Sequence, residues 1–150
     1  MDQYLRNKQL AFAHIFILQN LLQTAAEKIQ KQITMKQWLL LVMIQECQEV
    51  PTLTNLGKMM GCSRQNVKGL AKALYKENFV SFEEGANNSL ILSLTDQART
   101  YNRLVSDSHK EVLDLLFSDF TKAEVQDLCD LQAKLAKGIS AIEDWIQEGA

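Results

Sequence analysis

The sequence predicts a mainly α-helical fold with one small β-hairpin. Three observations predict it. Apolar residues recur at three- and four-residue steps near both ends of the chain. Pro51 is the only proline, so long helices run uninterrupted. The segments VSFEE and SLILSL, rich in β-branched and aromatic residues, flank GANN, a turn sequence that makes them a hairpin. The chain has 150 residues, 47% of them hydrophobic and 23% charged, which is globular usage and suggests one compact unit.

A first helix runs from about Tyr4 to Lys31, with Leu10, Ala11, Ile15, Leu18, Leu22, Ala25 and Ile29 in register. Phe12, Phe16 and Ile17 widen its apolar surface, so it needs two partners, its own core and a second subunit. Thr34 caps a second helix, whose WLLLVMI run is apolar all round and therefore buried. Thr52 caps a third, holding Leu56, Met59 and Met60 and stopping at Gly61. Ser63 caps a fourth that reaches about Glu77, with Val67, Leu70, Ala71 and Leu74 as its apolar stripe. After the hairpin, a fifth helix extends from Asp96 to about Phe117. A sixth opens at Thr121 with Glu124 three residues on, a capping box, and carries Leu128, Leu131, Leu135, Ile139, Ile142 and Ile146 as a seam.

The stretch Pro51 to Lys76 sets the functional argument. It contains Lys58, Arg64, Lys68, Lys72 and Lys76 and no Asp or Glu, on a protein of net charge -2. A sited cationic patch on an acidic protein implies an anionic partner. Gly57, Gly61 and Val67 have the spacing of two short helices crossing steeply: a small residue at the contact, a glycine in the turn, a branched residue locking the second helix. Basic charge and helix-turn-helix spacing coincide, and the hairpin that follows has the form of a wing.

With Val67, Leu70 and Leu74 inward, the outward line of the fourth helix is Gln65, Gly69, Lys72 and Lys76, flanked by Arg64 and Lys68 on one side and Asn66 on the other. Gln and Asn pair with adenine and Arg with guanine, whereas Lys72 and Lys76, further back, meet phosphates. Thr52, Thr54, Ser63, Asn87 and Asn88 complete the expected DNA-binding set.

Taken together, TLTNLGKMMGCSRQNVKGLAKALYKENFV and LSLTDQA resemble the helix-turn-helix and wing exit of the MarR family of bacterial regulators, with Ala98 at a usual glycine. The resemblance covers nearly the whole chain. It implies a single MarR-like domain over 1–150, with dimerisation helices at 4–33 and 96–148 and a winged helix-turn-helix at 34–95. In it the recognition helix spans about 63–77 and the wing about 80–94. It further implies a cytoplasmic homodimeric repressor of a pseudo-palindromic operator, released by a small aromatic or anionic effector or by an oxidant. One departure is clear: the family's wing carries an Asp-x-Arg pair, and the aligned positions are Ala86 and Asn88. Phe82 aligns with another usual arginine.

Other chemistry is sparse. His14, Phe16, Trp38 and Arg103 are the candidate effector residues, with core or interface packing as the competing account of the first three. Cys62 precedes a helix N-terminus and is the candidate redox residue, against a plain core role. Three separated cysteines and two histidines suggest neither a metal nor a disulfide framework, and no cofactor is expected. No signal peptide or spanning segment is predicted, and no enzymatic motif. The alternative function is a winged-helix protein-interaction module with weak or no DNA binding.

Overall fold

The computed structural model describes residues 2–29 and 32–149. The elements are α1 (Gln3–Ile29), α2 (Met35–Glu46), α3 (Leu53–Met60), α4 (Arg64–Lys76), β1 (Val80–Glu84), β2 (Leu90–Leu94), α5 (Asp96–Leu116) and α6 (Lys122–Gln147). A mainly α fold with one hairpin is therefore correct. Two compact units divide the chain between Asn102 and Arg103. The first-helix residues expected at 30 and 31 lie outside the described residues.

The first unit has a conventional core. Leu40, Leu41, Leu53, Leu56, Val67, Leu74, Phe79, Val80 and Leu92 are almost wholly buried, joining α2, α3, α4 and the hairpin. Helices α2, α3 and α4 each begin where a hydroxyl satisfies a free amide. Thr34 accepts from the Gln37 amide at 3.2 Å while Gln37 Oε1 accepts from the Thr34 amide at 2.9 Å, a reciprocal capping box. Thr52 accepts from Asn55 and Ser63 from Asn66, each at 3.1 Å.

The turn between α3 and α4 is a backbone device. Gly61 has φ 67°, the left-handed region that favours glycine. The Cys62 amide then donates to the Gly57 carbonyl at 3.0 Å. A Cβ on Gly57 would lie 2.8 Å from the Cys62 carbonyl oxygen, so the two helices approach through backbone alone.

The hairpin is antiparallel, with Val80 opposite Leu94 and Phe82 opposite Leu92. Its strand pair is extended by a bridge between Thr52 and Ile91, and the Leu92 amide donates to the Pro51 carbonyl at 3.0 Å. The residue that caps α3 thus also braces the wing. At the exit of α4, Asn78 is left-handed (φ 61°). The Thr95 hydroxyl donates to its carbonyl at 2.6 Å, and the Gln97 amide group donates to the Glu77 carbonyl at 2.9 Å. Thr95 also accepts from the Ala98 amide at 3.2 Å, capping α5.

Three expectations need correction. The α2 run is not buried all round: Leu40, Leu41 and Ile44 are buried, whereas Trp38, Leu39, Val42 and Met43 are half-buried. Leu70 is half-buried, and Ala71 takes the inward place on α4 beside Val67 and Leu74. The long α1 contributes only Ala26 to the core of its own chain.

In the second unit none of the described residues is buried. Phe117 and Phe120 stack edge to face at 5.4 Å. Thr121 and Glu124 form the expected capping box, each amide donating to the other's side chain at 3.1 Å. The Thr121 amide, and after it the Thr121 hydroxyl, hold the Glu124 carboxyl below its usual range by hydrogen bonding.

Two predictions follow from this geometry. Gly57→Ala should destabilise the fold by about 1–3 kcal/mol, because its methyl meets backbone that cannot rotate away; an unchanged melting temperature would contradict the backbone contact. A depressed carboxyl pKa contributes stability that is present above the unfolded value and is lost as pH falls through the folded one. Helicity at α6 should therefore weaken on acidification in the wild type and respond less in Glu124→Gln, measured by circular dichroism across the acid range.

Candidate nucleic-acid interface

The first turn of α4 is aimed by what precedes it. Ser63 is extended (φ -70°, ψ 156°) and turns its side chain back to hold the Asn66 amide. Arg64, Gln65 and Asn66 follow at once and are all exposed. Val67, Ala71 and Leu74 anchor the opposite side of the helix in the core. The solvent face is therefore Gln65, Gly69, Lys72 and Lys76, with Arg64 and half-buried Lys68 on one flank and Asn66 on the other. Replacing Leu70 by Ala71 in the inward stripe leaves this outward line where the sequence placed it.

That face is chemically uniform. It carries cations and carboxamides and no acid. Among the described residues, none of Arg64, Lys68, Lys72 and Lys76 is in an ion pair, whereas Arg99–Asp96 and Lys110–Asp114 pair on α5. Uncompensated cations on one face project their field outward. Nothing lies within 4 Å of a Cβ built on Gly69, so the face is open as well as flat there.

Two clefts border the helix. One, of about 320 Å³, is lined by Thr52, Leu53, Thr54, Arg64, Asn87, Asn88, Ser89 and Leu90. It brings together five residues of the expected DNA-binding set that are distant in sequence: Thr52, Thr54, Arg64, Asn87 and Asn88. The other, of about 580 Å³, joins Gln65, Asn66, Gly69 and Leu70 to Gln19, Lys36, Leu39, Met60, Gly61 and Cys62. Lys36 is exposed in the first turn of α2 and sits at this cleft, outside the basic stretch that drew attention in the sequence. Only the fold brings its charge beside the α4 surface.

The wing differs from the helix. Phe82 stacks against Tyr75 of α4, ring centroids 5.4 Å apart. Glu83 and Glu84 are exposed. At the tip, Asn87 and Asn88 both have φ 57°, a conformation asparagine tolerates better than most residues.

The remaining candidates lie on several elements. His14 and Phe16 are exposed on α1, Trp38 is half-buried on α2, and Arg103 is exposed at the start of the second unit. Cys62 and Cys47 are half-buried and Cys129 is exposed, all three as free thiols. Among the described residues no cluster of His, Cys, Asp and Glu could hold a metal ion, and no helix is long and apolar enough to cross a membrane.

Comparison with known proteins agrees with this geometry. Residues 33–89 match the model of the MarR family. No curated protein sequence matches significantly. Among solved structures, a MarR/EmrR family transcriptional regulator from Acinetobacter sp. ADP1 superposes with a TM-score of 0.79 at 19% identity, over 89% of this chain and 97% of that one. The MarR family regulator NMB1585 from Neisseria meningitidis gives 0.72 at 22% identity, over 100% of both chains. MepR of S. aureus, solved as a complex with DNA, gives 0.70 at 17% identity, over 87% and 97%. Residues 33–89, which hold α2, the helix-turn-helix, β1 and the hairpin tip, are thus similar to the MarR family, and the chain shares the fold of its solved regulators.

Proposed function

We propose that the protein is a sequence-specific transcriptional regulator that binds double-stranded DNA as a homodimer and represses from a pseudo-palindromic operator. The observation that carries this reading is the solvent face of α4, which is acid-free, cationic and unpaired, on a helix whose first turn is capped and braced. A recognition helix contacts base edges through its N-terminal residues. Here those are Arg64, Gln65 and Asn66, side chains that pair with guanine or adenine. Lys68, Lys72, Lys76 and Lys36 are placed for phosphates. MepR, which shares the fold, is solved as a complex with DNA, and this supports DNA as the partner.

The homodimer rests on exposed apolar surface. Phe12, Phe16 and Leu21 on α1 are more than half exposed, as are Ile139, Ile142 and Trp145 on α6. Contiguous apolar patches of this kind mark an interface. The dimerisation segments are accordingly 4–33 and 96–148, flanking a DNA-binding segment at 34–95. Release by a small aromatic or anionic effector, with His14, Phe16, Trp38 and Arg103 as its candidate residues, and redox control through Cys62 are extensions of this reading.

A second reading has one specific observation in its favour. The wing displays Glu83 and Glu84 and no cation, which suits a winged-helix protein-interaction module better than a phosphate-binding one. Salt separates the two, since DNA binding must fall steeply as salt rises.

Three expected outcomes test the proposal. Gln65→Ala should lose roughly tenfold in affinity for its operator and little on random DNA, whereas Lys72→Ala should weaken both alike and reduce the salt slope by about one. Equal losses on both duplexes for both variants would remove this division of roles. Gly69→Ala should raise the melting temperature, being worth up to about 1 kcal/mol in an exposed helix, yet weaken DNA binding by adding a methyl to the groove-facing line; unchanged affinity would show that DNA does not approach Gly69. Sedimentation of the wild type should give twice the chain mass, and Phe16→Glu combined with Ile139→Glu should give a single chain. A monomeric wild type would end the dimer reading.

A further inference from the structure

The wing opposes the recognition helix in charge. Between Lys76 and Arg99 the chain has no lysine or arginine and four acids, Glu77, Glu83, Glu84 and Asp96. Glu83 and Glu84 pair across the hairpin with Ile91 and Leu90, are exposed, and have no ion-pair partner among the described residues. Such a wing cannot anchor on phosphate by charge.

Its tip is nevertheless built. The Gly85 amide donates to the Ser89 carbonyl at 2.8 Å, and the Ser89 amide and hydroxyl donate to the Ala86 carbonyl at 3.2 and 2.7 Å. This closed turn presents Asn87 and Asn88, exposed and left-handed, across a cleft from Arg64. Neither carboxamide bonds to another described residue. Each offers one acceptor oxygen and two donor hydrogens outward.

With the first turn of α4 placed in a major groove, that cleft is open to take the duplex backbone, and the hairpin tip would then face the adjoining minor groove. A-tract minor grooves are narrow and concentrate negative potential, which attracts arginine and repels carboxylate. Glu84 is three residues from Asn87, at most about 10 Å of extended chain, so its charge is only partly screened there. A G·C pair is the one that offers a donor in the minor groove, the guanine N2 amino group, and an Asn Oδ1 can accept from it.

We propose that the wing reads operator flanks by neutral hydrogen bonding within an acidic field, selecting a minor groove that contains G·C pairs and rejecting A-tracts. The proposal rests on the DNA-binding reading above and names the sequence preference of its second contact. The test compares full-length protein on duplexes that share one selected core and differ only in the wing-facing flank, an A-tract or a mixed G·C-containing sequence. The wild type should bind the G·C flank about fivefold more tightly, the scale of one favoured base pair. Glu83→Gln with Glu84→Gln should recover binding on the A-tract flank and shrink the ratio. Asn87→Gly with Asn88→Gly, which keeps the left-handed turn, should lower affinity on the G·C flank alone. Equal affinity for the two flanks, or tighter binding to the A-tract, would overturn the wing assignment while leaving α4 recognition intact. Binding to no core sequence above random DNA would overturn both.

Discussion

The site depends on the contact between the backbone of α3 at Gly57 and the backbone that leads into α4. A side chain at Gly57 would strike the Cys62 carbonyl at 2.8 Å and approach the Arg64 nitrogen at 3.6 Å. Both distances run to main chain, so no rotamer change relieves them. The same glycine's carbonyl accepts the Cys62 amide, which fixes the turn from the other side. Ser63 can then cap α4 and Arg64, Gln65 and Asn66 can leave the helix start in one defined direction. Without that closeness the Val67, Ala71 and Leu74 stripe would still seek the core, but the angle at which it enters would be free.

A second set of bonds fixes the wing to the same frame. Thr52 caps α3 and bridges Ile91, while Thr95 and Gln97 reach back to the carbonyls of Asn78 and Glu77 at the end of α4. The hairpin is therefore attached to the helix-turn-helix at both its outer edge and its base. Charge divides along this frame. The cations lie on α4 and at Lys36, and the acids lie on the hairpin. One compact unit thus carries a cationic surface and, beside it, an acidic hairpin whose tip is neutral.

Features that follow from local chemistry were legible in the sequence. Thr34, Thr52, Ser63 and Thr121 cap helices because a hydroxyl one residue before the helix meets an amide three residues on, a relation that needs no tertiary partner. Gly61 ends α3 because the left-handed turn favours glycine wherever the rest of the chain goes. The outward line of α4 was legible because opposite faces of a helix are set by the same period. What escaped depends on neighbours. Leu70 belongs to the apolar stripe by helical period, yet only Val67, Ala71 and Leu74 of that stripe are buried. The apolar surface of α1 predicts burial but does not say against what, and in the single chain only Ala26 of this helix is buried. Lys36 stands alone in an apolar helix, and its place beside Gln65 exists only after α2 packs.

Selection from a random duplex library by the purified protein, at two salt concentrations, tests the central claim most directly. The account predicts enrichment of an inverted repeat whose half-sites lie about one helical turn apart, with recovery falling sharply at the higher salt. A library that emerges unenriched even at low salt would contradict it, since Arg64, Gln65 and Asn66, backed by three unpaired lysines, would then have no duplex to read.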